Sequence, residues 1–152
     1  MSTSINDLLS QPAIKTVVRD ASTLVNATTI FTVVGGPIII KQIISLCITA
    51  NGATASTLQY SADGTDGSAA TISGASASLA NAAAGTIVAT APGTLATAPA
   101  VYANGVGILG ALAGGIVIPA GIITTTVGVG STTGTWKHII RYESLGGNVE
   151  VA

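Results

Sequence analysis

Charge is what this sequence has least of. Only 7% of its 152 residues are Asp, Glu, Lys or Arg, against about 25% in an average soluble domain. From Gln42 to Trp136 the only charged side chains are Asp63 and Asp66. Five Lys and Arg in the whole chain make no basic stripe, which excludes nucleic-acid binding through phosphate neutralisation. Scarce charge also removes the usual guard against self-association. Aromatic residues are rarer still, at 3%, and leave few candidates for an exposed sugar-stacking platform. Cys47 is the single cysteine, so no intramolecular disulfide forms. It lies in the apolar run ISLCITA and is expected as a reduced, buried thiol. One histidine and scattered acids give no paired ligand spacing, so neither a metal nor a cofactor is expected. Leu, Lys and Glu, which long helices need, are in short supply. The opening MSTSINDLLSQPAIK has no basic n-region and no apolar h-region, so it does not read as a secretory signal, and synthesis in a cytoplasm is expected.

What the chain does have is Thr, Val and Ile, which form strands, with Gly and Ser to break them. An all-β domain follows. The strongest strand signal is Thr29 to Ala50, bent at Gly35-Gly36-Pro37. Beyond the bend the even positions from Ile38 are nearly all apolar and the odd ones mixed, which is period two. Asn51-Gly52 predicts a turn. A strand follows over Ala53 to Tyr60, with Leu58 and Tyr60 on one face. SADGTDGSA then reads as a loop; its D-x-x-D-G spacing is not a calcium loop, so Asp63 and Asp66 are expected to shape a turn rather than hold a cation. SASLANAAA suggests a short helical turn, GTIVAT and the stretch around Val101 and Tyr102 short strands. In TWKHIIRYESL, Trp136, His138, Ile140 and Tyr142 share one face, and Val149-Glu150-Val151 alternates again.

The uncharged run GVGILGALAGGIVIPAGII, residues 105–123, tests three ideas. Gly105, Gly107 and Gly110 match G-x-G-x-x-G, yet Gly114, Gly115 and Pro119 fall where the helix body belongs, and no acid follows about 20 residues on. A membrane span is set aside because the run is rich in glycine, lacks an aromatic belt and has no flanking cation to orient it. Two short strands around a bend at Pro119 to Gly121 fit best. Strands apolar on both faces with few charges at their edges aggregate as lone domains, so burial by copies of the chain or by a host assembly is expected.

Residues 1–28 differ from the body, 29–152. They read as an arm, with a short helix at most over Ile5 to Ser10 ended by Pro12, then an extended segment. No catalytic set emerges. His138 sits among strand residues, no G-x-S-x-G is present, and nothing in the sequence brings Asp63 or Asp66 to His138. Phe31, Trp136, His138 and Tyr142 are expected as core or interface anchors.

The layout also resembles a group of small tailed-bacteriophage structural proteins encoded near the capsid genes. These share an aromatic-x-Val-x-Gly-Gly-Pro-Ile start, a Pro-x-Gly-Ile strand, a Thr-Gly-x-x-Trp turn and a Tyr-x-x-Leu ending. Here the motifs fall on Phe31 to Ile38, Pro119 to Ile122, Thr133 to Trp136 and Tyr142 to Leu145. The resemblance covers the two ends of the body, about half of the chain, and the middle from Ala69 to Ala100 matches nothing. It implies a capsid decoration, or cement, protein: a β-sandwich or jelly-roll domain, a homotrimer on the outer surface of the virion head, without enzymatic activity. It further implies that the arm contacts the major capsid protein, which places Ile5, Leu8, Leu9, Ile14, Lys15, Val17, Val18 and Arg19 at that contact. A tail, spike or fibre component and a carbohydrate-binding β-sandwich are the alternatives; no nucleic acid and no membrane are expected as partners.

Overall fold

The computed structural model describes residues 13–90, 97–102 and 114–152. Among these residues there is no helix. The strands in chain order are β1 (Lys15–Thr23), β2 (Thr28–Val34), β3 (Ile38–Cys47), β4 (Thr57–Gly64), β5 (Ala69–Thr71), β6 (Ile87–Ala89), β7 (Ala100–Tyr102), β8 (Ile116–Ile118), β9 (Gly121–Gly128), β10 (Thr135–Ser144) and β11 (Glu150–Val151). They form two antiparallel sheets. The first runs β1-β10-β3-β6-β7, with β8 also paired to β3, and the second runs β11-β2-β9-β4-β5. The sheets pack face to face as a β-sandwich.

Alternation builds the core. On the first sheet the inward rungs are Trp136 with Cys47, His138 with Ser45, Ile140 with Ile43 and Tyr142 with Ile40. Facing them from the second sheet are Phe31, Val33, Leu58, Tyr60, Ala62 and Ile123, all buried. Each fully buried aliphatic or phenylalanine side chain there stabilises the fold by about 1.5–3 kcal/mol. The chain changes sheets at Gly35-Gly36-Pro37, between β2 and β3. Gly35 has φ +85, and a Cβ there would run into the carbonyl of Asn148. Only glycine adopts that geometry without strain.

One expectation fails inside β3. A single alternation would keep the even positions on one face throughout. Instead a β-bulge at Lys41 shifts the register between Tyr142–Ile40 and Arg141–Gln42. Ile38 and Ile40 point inward before it, Ile43, Ser45 and Cys47 after it. Ile44 and Leu46 therefore lie half-buried on the outer face, and Ile48 beyond the strand is exposed. A bulge adds one residue to one strand and reverses the phase of everything after it.

Other boundaries also move. The expected loop SADGTDGSA begins inside β4, which continues to Gly64 because Ser61 to Gly64 pair with β9. SASLANAAA forms no helix; Leu79 is buried there, and backbone turns surround it. The arm keeps its extended character but not its separateness. Lys15–Thr23 pairs along β10, and Leu24 is buried in the core. Residues 13 and 14 precede that strand, and the proposed helix over Ile5 to Ser10 lies outside the described residues. Of the run 105–123, β8 and the start of β9 form the two expected strands around Pro119-Ala120, while Gly105, Gly107 and Gly110 lie outside the described residues. No helix among the described residues is long and apolar enough to cross a membrane.

Candidate functional site

Among the described residues, the contact that joins a serine to the histidine lies between the sheets. His138 on β10 stands opposite Ser45 on β3. The Ser45 hydroxyl is 2.7 Å from His138 Nδ1 and 2.7 Å from the Tyr60 hydroxyl, which reaches across from β4 of the other sheet. All three residues are buried, with at most 1% of their surface exposed. Burial, and then the positive charge of Arg19 nearby, lowers the His138 pKa to about 4. Burial likewise pushes the Tyr60 hydroxyl above its usual range, with the Ser45 hydrogen bond opposing. The cluster is thus a neutral imidazole and two hydroxyls, closed to solvent, with no carboxylate in contact. It has the nucleophile–base pairing of a hydrolase but no route for a substrate. Physically it is a polar tie between the two sheets. Sequence reasoning placed His138 on the inner face but missed Ser45 and Tyr60, because the bulge in β3 decides that Ser45 turns inward.

Trp136 is held by a second polar group. Its indole Nε1–H donates to Asn51 Oδ1 at 3.3 Å, and the Gly134 amide donates to the same oxygen at 3.0 Å. Asn51 Nδ2 donates to the Leu79 carbonyl at 3.0 Å. The turn expected at Asn51-Gly52 does not form there; Asn51 instead brackets the largest core side chain, and its amide bonds the Ala82 carbonyl. Phe31, Trp136, His138 and Tyr142 are all core residues of the protomer. Cys47 is buried, burial pushes its thiol up, and its S–H donates to the Thr49 carbonyl at 3.2 Å.

Asp63 and Asp66 are both exposed, at the β4–β5 end. Asp66 accepts from the Ser68 hydroxyl and amide, which hold its carboxyl below the usual range. Among the described residues no group of three His, Cys, Asp or Glu is placed to hold a metal ion.

The residues expected at a capsid contact are spread. Ile5, Leu8 and Leu9 lie outside the described residues. Ile14 is exposed ahead of β1, and Lys15 is exposed on it. Val17 packs against the core. Val18 points outward with 52% of its surface exposed. Arg19 is half-buried on the rung of His138. A groove of about 250 Å³ opens beside β1 and β2, lined by Val17, Arg19, Phe31 and Ala152 among others, with Arg19 its only charged side chain.

The outer faces complete the surface. On the first sheet, the rung Val18–Ile139–Ile44 runs across β1, β10 and β3 and ends at buried Ala89 on β6. Beside it lies Lys137–Leu46–Ile87. Val117 on β8 is 63% exposed next to Ile39. On the second sheet the corresponding rungs are Thr29–Thr124–Ser61–Thr71 and Thr126–Gln59. These rungs show solvent aliphatic groups on one sheet and hydroxyls on the other, and the second sheet also carries the outward Val34 and Ile122. No protein-family model, curated protein or solved structure matches this chain.

Proposed function

We propose that this chain is a non-enzymatic structural protein of a phage particle, one that decorates the outer surface of the head as a homotrimer and stabilises the shell. The observation that carries the reading is the outer face of the first sheet, where Val18, Ile139, Ile44, Leu46 and Val117 stand at or near the surface. Apolar patches of that kind mark protein–protein contact. Two further features support it. The single Ser–His contact is sealed inside the sandwich, which leaves it a structural part. Among the described residues β1 stands at the edge of its sheet, paired on one side only, with β10. The motifs that resemble those of decoration proteins support the phage head as the particle and its outer surface as the location.

The mechanism is linkage. A protein that binds only the assembled shell stabilises it by RT ln(1 + [L]/Kd) for each site, and three linked contacts add avidity. The test is co-sedimentation with purified heads that lack the protein, followed by image reconstruction. The expected result is density on the outer surface at three-fold positions and a shell that resists heat better. Protein bound only to tails, or not bound to particles at all, would reject the head assignment.

A further inference from the structure

The charges of this molecule are divided between its two sheets. Lys15, Arg19, Lys41, Lys137 and Arg141 are all the cations of the chain, and every one stands on the first sheet. Asp20 and Glu143 are the only acids there, and Glu143 is already paired with Lys41 at 3.3 Å. The second sheet and its β4–β5 turn carry Asp63, Asp66 and Glu150 and no cation.

The arrangement is more specific than a charge excess. On the outer face of the first sheet, the aliphatic rung Val18–Ile139–Ile44 lies between two rungs that hold Arg141 and Lys137. Four residues of one strand separate those cations, roughly 13 Å. On the outer face of the second sheet, Val34 is 50% exposed opposite Glu150, and half-buried Ile122 stands opposite Asp63 on the neighbouring outer rung. Glu150 and Asp63 are three strand spacings and two residues apart, roughly 16 Å. The first patch is an aliphatic centre between Arg141 and Lys137, with the exposed Asp20–Ala21 bulge of β1 opposite Lys137, and the second is a smaller aliphatic centre between Glu150 and Asp63, with exposed Thr32 on the rung of Ile122; the prevailing signs are opposite, at spans that long Lys and Arg side chains reconcile.

We infer that copies of this chain associate head to tail: the Val18–Ile139–Ile44 face of one copy takes the Val34–Ile122 patch of the next, with Lys137 and Arg141 meeting Asp63 and Glu150 of the neighbouring copy. A contact between two different faces is heterologous, so it closes into a ring when the rotation fits. This deepens the structural-protein reading and rests on it; because the two patches lie on opposite outer faces of the sandwich, the contact gives a closed trimer only where each copy is rotated against the last, and an open stack otherwise.

Sedimentation velocity on the free protein tests it. The unmodified chain should form a discrete oligomer, and raising salt from about 0.05 M to about 0.5 M should weaken it, since salt screens exposed charges. The double substitutions K137E/R141E and D63K/E150K should each weaken association at least tenfold. All four together should restore it, because the two patches then exchange signs. An equimolar mixture of the two doubles should also associate. Thermal unfolding of each variant separates lost contact from lost fold, and the salt series needs no variant. A monomeric unmodified protein, an oligomer indifferent to salt, or an oligomer broken by K137E/R141E and untouched by D63K/E150K would overturn the contact. So would a folded fourfold variant that stays dissociated. Binding to heads is read separately: a monomer that binds heads overturns the contact and leaves the head assignment standing, and a charge-swappable oligomer that ignores heads does the reverse.

Discussion

The two sheets are alike inside and opposed outside. Their inner faces contribute the same kinds of residue to one core, Trp136, Ile140 and Ile43 from the first against Phe31, Leu58 and Ile123 from the second. Outside, the first sheet carries Val18, Ile139 and Ile44 where the second carries Thr29, Thr124 and Ser61. Thr and Val are close in shape, and both suit a strand. The difference is therefore not about forming a sheet. A hydroxyl face is satisfied by water, and an aliphatic face gains free energy when water leaves it. The hydroxyl rungs of the second sheet are finished as they stand, whereas the aliphatic face of the first sheet and the smaller Val34–Ile122 patch of the second gain by being covered.

That contrast breaks most plainly if an outer position of the first sheet matters as much to the lone protomer as an inner one. Trp136→Ala removes the largest buried side chain and one of the two donors to Asn51 Oδ1, and should destabilise by about 3–5 kcal/mol. Ile139→Thr, on the outer face of the same strand, should cost about 1 kcal/mol or less under conditions where the protein is dissociated. Urea unfolding of both variants measures the gap. Equal losses would mean that the outer face is core.

Acid sharpens the comparison from inside. His138 has a folded pKa of about 4 against an unfolded value near 6.5. The unfolded chain therefore binds the proton first, and stability falls as pH drops below about 6.5, levelling once pH passes below about 4. For so buried a group the full loss is about 3 kcal/mol. Urea midpoints from pH 7 to pH 4 should show it, and His138→Gln should remove that component of the acid sensitivity. A slope unchanged in the variant would put the sensitivity elsewhere. Arg19, paired with His138 on the same rung, adds to the effect, so Arg19→Gln should raise the His138 pKa and flatten the profile. Smaller again, Ser45→Ala takes the hydroxyl from between Tyr60 and His138 and should cost about 1–3 kcal/mol.

Much of this was legible in the letters. Trp136, His138, Ile140 and Tyr142 read as one face and are one face, and the Gly35-Gly36-Pro37 bend is where the chain changes sheets. β10 was readable because nothing within it interrupts the period. β3 was not, because a bulge at Lys41 reverses the phase without changing composition: Ile39, Ile43 and Ile44 look alike, and only the partner strand decides which turns inward. The Ser45–Tyr60–His138 tie was invisible for the same reason, since it joins residues from three strands of two sheets. Lys15–Thr23 read as an arm because its residues are mixed and mostly exposed, which is also how an edge strand looks. Pairing along β10 is a long-range fact that no local pattern carries. The surface contrast needed the register of both sheets before scattered Thr and Ile became two faces.

The smallest effect on the fold is the sharpest test of what the faces mean. Thr124→Val with Thr126→Val replaces two outward hydroxyls on β9 by methyl groups of nearly the same size. The strand loses no cross-strand partner, and Val suits a strand at least as well as Thr, so stability should stay within about 0.5 kcal/mol. Solution behaviour should change more than stability. The Val34–Ile122 patch of the second sheet would then be extended along β9, and light scattering at rising concentration should show association beyond the proposed oligomer. The reciprocal pair, Val18→Thr with Ile139→Thr, should leave stability of the dissociated chain nearly as it is and weaken the proposed oligomer. If the first pair leaves association unchanged and the second does too, hydroxyls and methyls on these faces are interchangeable, and the contrast between a hydroxyl face and an aliphatic face has no part in association.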